Sequence, residues 1–380
     1  MPAAFIVDAV RSPIGKRNGS LRNWHPVDLS AVVVEELLRR TAVDPARVDD
    51  VIWGCVSQTG EQGLNLARWV SLAAGLPEEV PGVSVDRQCG SSQQAVHFAA
   101  QGIMAGVYDI AIAGGVESMT RVPMGSTMQQ GPGMPFGGRV LGRYSLVPQG
   151  LSAEMVAERW GLTRSELDAL SLESHRRSAL AWDEGRFAGQ VVPIEGEAGS
   201  LAVDEGIRRD TSMEALATLK TSFKPDGVVT AGNSSQISDG AGALLLASEA
   251  VVNRMGWEPL ARVAGFAVTG VDPVIMLTGP IPATQQLLGK AGLDIADVDL
   301  FEVNEAFASV VAAWTKEMGA EPARVNPNGG AIAVGHPLGG SGAILMTRLV
   351  HELVRTGARR GVQAMCEGGG TANATLLERV

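Results

Sequence analysis

The chain has 380 residues, enough for two or three domains at roughly 150 residues each, and its 45% hydrophobic content excludes a disordered segment or a mini-protein. Its 47 glycines follow no Gly-X-Y period, so they mark tight turns and close backbone approaches rather than a collagen-like rod. With 41 acidic against 31 basic side chains the formal charge is −10, and no long Lys/Arg run supplies the footprint that nucleic acid needs, so no nucleic-acid partner is expected.

Short apolar runs alternate with amphipathic helical patterns, which gives an α/β class with a largely parallel or mixed sheet. The first strand is read at 4–10. Asp8 and Arg11 interrupt this segment before a signal-peptide core could form, and no stretch reaches the ~18 apolar residues of a membrane span, so a soluble, cytoplasmic protein with no membrane partner is expected. A helix opened by Pro26 follows at 27–40, then a strand at 51–56. A helix at 91–104 carries Ala95, Phe98, Ala99 and Ile103 on one face, directly after a Cys-Gly pair. A strand at 110–113 runs into Gly114 and Gly115, which end it.

From 116 to 150 the composition turns to Gly, Pro, Met and Gln with little periodicity, and 152–187 reads as one amphipathic helical stretch. A long irregular insert in a compact protein is usually a lid or binding loop, so 116 to roughly 248 reads as a substrate-covering insertion. It includes a Gly-, Ser- and Asn-rich turn at 230–240 ahead of the buried run 243–247. The second half repeats the first in outline, with a strand at 299–303, a Gly-rich turn, a helix from Ser341 and a strand at 362–366 that again meets glycines, Gly368 to Gly370. This outline implies an internal duplication of one βα unit, with both Gly-rich turns facing a shared centre.

Cys89 lies in Gln88-Cys89-Gly90-Ser91-Ser92, where free N–H groups at a helix start would favour a thiolate and lower its pKa, making it a candidate nucleophile. The competing reading is a small buried core residue. His336, in Gly335-His336-Pro337-Leu338-Gly339-Gly340-Ser341-Gly342, is held off helical geometry by Pro337 in a segment that admits close backbone approach, a poor context for a core histidine. The other histidines read as structural: His25 before a helix, His175 and His351 on charged helical surfaces, His97 within an apolar pattern. Cys366 ends a strand before Glu367 and three glycines whose N–H groups could stabilise an oxyanion. Asn304 sits at a strand-to-helix turn, as an N-cap or as a site residue, and Cys55 reads as core. Three distant cysteines without CxxC or Cys/His clustering fit neither a disulfide framework nor a zinc site, and indicate a reducing compartment.

These segments together resemble the thiolase family. QCGSS from Gln88, GGVESM from Gly114, TAGNSS from Thr230, NEAFA from Asn304, GHPLGGSGA from Gly335 and CEGGG from Cys366 occur in the family's order and approximate spacing. The resemblance covers essentially the whole chain. It implies the thiolase fold: two duplicated α/β halves in a five-layered α-β-α-β-α sandwich, the first formed by 1–115 with about 221–250, the second by 251–380, and a loop domain at 116–220 inserted between. It implies a degradative 3-ketoacyl-CoA thiolase acting in fatty-acid or sterol side-chain β-oxidation. Cys89 would be acylated, His336 would activate it, and Cys366 would be the acid/base at the α-carbon of the acetyl unit. Asn304 would hold a water beside His336 at one oxyanion hole, and the N–H groups of Cys89 and Gly368 would form the other. Ser235 would meet the pantetheine arm, Phe223 and Phe307 would wall its tunnel, and Arg208 would lie near the CoA nucleotide. CoA would be a substrate, with no metal or organic cofactor, and a homodimer or homotetramer is implied.

Two departures bear on substrate. Biosynthetic members carry a His-Met pair where Pro148-Gln149 precede Gly150, and Cys366 is followed here by Glu367 and then Thr371-Ala372-Asn373 rather than an apolar residue and Gln-Gly. The combination looks like degradative thiolases of actinobacteria. The rival readings are a biosynthetic acetyl-CoA acetyltransferase and a catalytically silent acyl-CoA-binding relative; a ketoacyl synthase is disfavoured because Cys366 stands where those relatives carry a histidine.

Overall fold

The computed structural model describes residues 3–129, 131–196 and 199–380. Gln130, in the loop read above as a lid, lies outside them, as do Met1 and Pro2 at the start. The first half contributes β1 (Ala4–Arg11), β2 (Gly15–Lys16), α1 (Pro26–Thr41), β3 (Asp50–Gly54), α2 (Leu66–Ala73), β4 (Gly82–Val85), α3 (Ser91–Met104) and β5 (Ile110–Ser118). The excursion that follows carries α4 (Gly138–Leu141), α5 (Gln149–Trp160), α6 (Arg164–Asp183), a small hairpin of β6 (Ile194–Gly196) and β7 (Gly199–Leu201), and α7 (Met213–Ala217). The chain returns through β8 (Ser238–Ser248) and α8 (Glu249–Met255). The second half holds β9 (Ala261–Gly270), α9 (Pro280–Ala291), β10 (Leu300–Val303), α10 (Ala308–Met318), α11 (Ala331–Val334), α12 (Leu338–Thr356), β11 (Arg360–Glu367) and β12 (Thr371–Arg379).

The sheet runs β10-β11-β12-β9-β1-β8-β5-β3-β4, and among the described residues its two halves pair where Phe5 and Ile6 of β1 lie opposite Arg262 and Ala261 of β9. One apolar core lies between α1, α2 and the outer face of the first half. A second packs α3 and α12 against strands of both halves, and a third lies under α9 and α10 on the outer face of the second half. These contacts make five layers, with α3 and α12 as the central one. The amide of Ala343 donates to Ser92 Oγ at 2.8 Å, tying the two central helices together near their starts.

The duplication extends to single side chains. Asp49 Oδ2 accepts the amides of Asp109 (2.6 Å) and Ile110 (2.9 Å) ahead of β5, and Asp299 Oδ2 accepts those of Arg359 (2.9 Å) and Arg360 (2.8 Å) ahead of β11. Each carboxylate satisfies two amides that the neighbouring parallel strand leaves unbonded.

Several sequence expectations are corrected. The strand read at 110–113 passes straight through Gly114 and Gly115 to Ser118. These glycines serve packing: a Cβ on Gly114 would strike the Trp53 ring and the Gly242 carbonyl, and one on Gly115 the Gly339 carbonyl. The helical stretch at 152–187 is two helices, parted at Gly161 (φ 60°), and α6 restarts with a capping box between Thr163 and Glu166. The last helix begins at Leu338 rather than Ser341, with Pro337 as its N-cap. His175 is buried rather than on a surface, and His351, largely shielded, binds the Ala9 carbonyl at 2.9 Å.

Candidate active site

Cys89 sits where the chain leaves β4 for α3. Gln88 before it adopts φ 48°, a left-handed conformation unusual for a side-chain-bearing residue, which turns Cys89 toward the centre of the molecule. Leu345 of α12 and Met365 of β11 pack beside it. The N–H groups of Cys89 and of Gly368 both point at its sulfur. The sequence expectation of a low thiol pKa is overturned: burial first, then the Glu367 carboxyl, push the thiol up to about 12. The two N–H groups oppose this without overcoming it, so the resting sulfur is protonated and attack requires a base.

The candidate base is His336. The His336 amide donates to the Gln236 carbonyl at 3.1 Å, and Gly335 takes φ 109° in a gap where a Cβ would strike Ser238. His336 Nδ1 is 2.6 Å from Ser341 Oγ, and that hydroxyl donates to the Pro337 carbonyl at 2.8 Å. Because the hydroxyl proton is committed to Pro337, Ser341 Oγ accepts from His336, and Nδ1 carries the imidazole proton. Nε2 keeps its lone pair and receives Asn304 Nδ2 at 3.3 Å. Burial lowers the His336 pKa to about 4, so the ring is neutral near pH 7. Asn304 is buried and is no N-cap, since α10 starts four residues on; its Oδ1 is buried without a hydrogen-bond partner.

Cys366, one residue before the end of β11, lies against the Cys89 sulfur, and burial first, then any charge on Cys89 and on Glu367, hold its pKa well above the usual thiol value. Two thiols thus meet between the start of α3 and the end of β11, with backbone donors aimed at one sulfur, and a neutral imidazole paired with an amide stands at the start of α12. Such a set can support nucleophilic acyl transfer with separate proton donors.

Leading away from this centre, Phe223 and Phe307 meet edge-on with ring centroids 6.1 Å apart. The Ser235 amide donates to the Ala306 carbonyl at 2.9 Å beside Phe307, leaving the Ser235 hydroxyl with no hydrogen bond among the described residues. Gln149 reaches toward Gly368, and Gly150 lies under the Phe223 ring. Arg208 stands apart, exposed, its backbone N–H donating to His175 Nδ1 at 3.0 Å.

Three supporting residues escaped the sequence reading. Ser341 fixes the imidazole. Glu305 accepts from Ser174 (2.6 Å), Asn326 (3.1 Å) and the Ile332 amide (3.1 Å), holding α11 in front of His336. Glu117 accepts from the amides of Val56, Ser57 and Gly339 and from Gln62, all within 3.0 Å, which ties the turn after Cys55 to the start of α12. A carboxylate inside the apolar GGVES run was the available signal.

Residues 4–250 match the family described as "Thiolase, N-terminal domain", and 257–379 match "Thiolase, C-terminal domain". The chain is 51% identical to a steroid 3-ketoacyl-CoA thiolase of Mycobacterium tuberculosis over 100% of its own length and 95% of the relative's. It is 42% identical to a 3-ketoacyl-CoA thiolase of Bacillus subtilis, over 100% of both. A crystal structure of the Bacillus anthracis acetyl-CoA acetyltransferase superposes with a TM-score of 0.93 at 39% identity, covering 100% of this chain and 99% of that one.

Proposed function

As the chain belongs to the thiolase family, we propose that it cleaves 3-ketoacyl-CoA with CoA, giving acetyl-CoA and a shortened acyl-CoA through an acyl-Cys89 intermediate. The observation that carries this reading is the presence of a buried thiol under two backbone donors, a second protonated thiol against it, and a neutral imidazole whose Nε2 carries the lone pair and meets Asn304.

The Cys89 proton passes to His336 Nε2 as the sulfur attacks C3 of the substrate, and the C3 oxyanion forms against the N–H groups of Cys89 and Gly368. The C2–C3 bond then breaks, its electron pair passing into the enolate of acetyl-CoA, whose oxygen faces His336 and Asn304. Cys366 gives its proton to C2, and the imidazolium returns one to Cys366. In the second half, CoA yields its thiol proton to His336 and attacks acyl-Cys89; the tetrahedral adduct collapses, the new thioester leaves, and the Cys89 sulfur takes its proton back. Ser235, Phe223 and Phe307 line the way for the pantetheine arm, and Arg208 lies toward the nucleotide end. CoA is a substrate, and the reaction as written calls for no metal or organic cofactor.

The preferred acyl group is larger than acetoacetyl. Pro148-Gln149 replace the His-Met pair of the short-chain enzymes, Gln149 reaches toward Gly368, and Met124, Met128, Met134, Phe136 and Tyr144 expose adaptable apolar surface in the nearby loop. The 51% identity to the steroid thiolase favours the same branch. The protein works as a homodimer or homotetramer, because β4 is an edge strand of the sheet with Leu64, Trp69 and Val83 exposed around it. Its three free cysteines suit the cytoplasm, and no helix among the described residues is long and apolar enough to cross a membrane. The test is kcat/KM across 3-ketoacyl-CoA substrates of increasing length and bulk. It should rise above the acetoacetyl-CoA value, since added apolar burial contributes ~0.8 kcal/mol per CH₂. An enzyme fastest on acetoacetyl-CoA that rejects longer chains belongs instead to the biosynthetic branch.

A further inference from the structure

The duplicated halves place two carboxyl groups in equivalent positions, Glu117 as the eighth residue of β5 and Glu367 as the eighth of β11. Both are fully buried. Their surroundings differ. Glu117 has both oxygens engaged by four donors. Glu367 accepts one hydrogen bond, from Thr371 Oγ1 to Oε2 at 2.5 Å, and its Oε1 is buried with no partner.

Asn373 stands next to that vacant oxygen. Its Nδ2 donates to the Gly90 carbonyl at 3.0 Å, which orients Oδ1 inward, and Oδ1 is likewise buried and unpartnered. Asn373 Oδ1 lies 2.9 Å from the point a Cβ on Gly90 would occupy, and Glu367 Oε1 lies closer still. Two buried acceptors side by side cannot satisfy each other unless one carries a proton, and only the carboxyl can take one. Gly90 follows the nucleophile directly, so this pair is built against the Cys89 turn.

We propose that Glu367 is a positioning residue for the nucleophile: protonated on Oε1 it bonds the side-chain carbonyl of Asn373 and leaves the Cys89 sulfur free to become anionic, whereas ionised it sets a carboxylate against that sulfur. This rests on Cys89 being the acylated residue. Burial outweighs the Thr371 hydrogen bond and the charge of Arg87, which both favour ionisation, while the charge of Asp86 works with burial, and the carboxyl titrates at about 7. Glu367 in turn acts on both thiols, since its charge raises the pKa of Cys89 and of Cys366. The device therefore blunts, across neutrality, the gain in thiolate that rising pH gives an ordinary thiol.

The test is the rate constant for alkylation of Cys89 by iodoacetamide as a function of pH, read by peptide mass mapping so that Cys55 and Cys366 are scored separately. Wild-type protein should show a rate that rises with pH, flattens around pH 7 and rises again. In Glu367→Gln, whose amide can still donate to Asn373, the flattening should vanish, with rates equal to wild type at pH 6 and about tenfold higher at pH 8.5, which corresponds to about one unit in the thiol pKa. Thr371→Val removes the donor that favours the ionised carboxylate and should move the flattening to higher pH. Folded Glu367→Gln protein whose profile coincides with wild type at every pH overturns the proposal. If Glu367→Gln does not fold, an unchanged profile in Thr371→Val overturns it, and a shifted one supports it. Because alkylation needs no substrate, failure here is separable from failure of the thiolase reading, which is judged by acyl transfer to Cys89.

Discussion

The 2.6 Å contact between His336 Nδ1 and Ser341 Oγ decides which imidazole nitrogen can act as a base. Ser341 lies on the first turn of α12, and its hydroxyl cannot turn to donate to Nδ1 without breaking its bond to Pro337. Ser341→Ala releases the ring to sample both tautomers. Acylation by substrate and deacylation by CoA should both slow, by about tenfold or more, with little change in KM, because proton transfer rather than binding is affected. Rapid-quench measurement of the two half-reactions separates these quantities.

The two thiols should fail differently. Cys89→Ala should give no acyl-protein adduct in intact-mass spectra with any acyl-CoA. Cys366→Ala should still accept an acyl group on Cys89 from a simple acyl-CoA, yet lose carbon–carbon cleavage by a factor of about 100 or more. Equal loss of both half-reactions in Cys366→Ala would place the two cysteines in a single role.

Gly150 packs under Phe223, and a methyl group there would press into the ring. Gly150→Ala should displace Phe223 from its edge-on contact with Phe307 and weaken CoA-thioester binding. A cost of about 1 kcal/mol would lower kcat/KM roughly fivefold, mostly through KM. Titrating Gly150→Ala with several CoA thioesters should give the same loss for each, because the disturbance lies in the channel they share.

His97, on α3, bonds Thr375 Oγ1 at 2.7 Å through Nε2, and its Nδ1 is buried without a partner. Burial, with Arg87 adding to it, lowers its pKa to about 3. The unfolded chain therefore binds a proton below about pH 6.5 that the folded chain refuses, and the stability held at neutral pH is lost as the pH falls through that window. Between pH 6 and pH 4.5 this one ring should account for about 2 kcal/mol. Chemical denaturation of His97→Gln at the two pH values should show an acid loss smaller by that amount, whatever its stability at pH 7.

Much of the architecture was legible because apolar period and glycine placement report it directly: the helix read at 91–104 matches α3, and the fully buried run 243–247 lies within β8. Cys89, His336, Cys366 and Asn304 stood out as candidates because each lies beside glycine, proline or a strand end where a core residue has no reason to be. The rest depended on distant partners. Nothing near His175 in the sequence says that it is packed inside the protein, or that the Arg208 amide will cap it. The low thiol pKa expected from a helix start failed because that argument sees only the local N–H groups, while the dominant effect is burial beneath α12 and β11, which lie more than two hundred residues away.

The narrow seam between β1 and β9 gives the molecule an uneven division of labour. Among the described residues two residue pairs stitch the half-sheets together, yet Cys89 belongs to one half while Cys366 and His336 belong to the other. Neither half holds the whole candidate set. What keeps them in register is the middle layer, where the Gln363 amide of β11 reaches both Gln93 of α3 and the Gly342 carbonyl of α12 at 2.8 Å. Catalytic competence is thus a property of how two similar folding units dock, and this glutamine pair is the gauge that sets the gap between them.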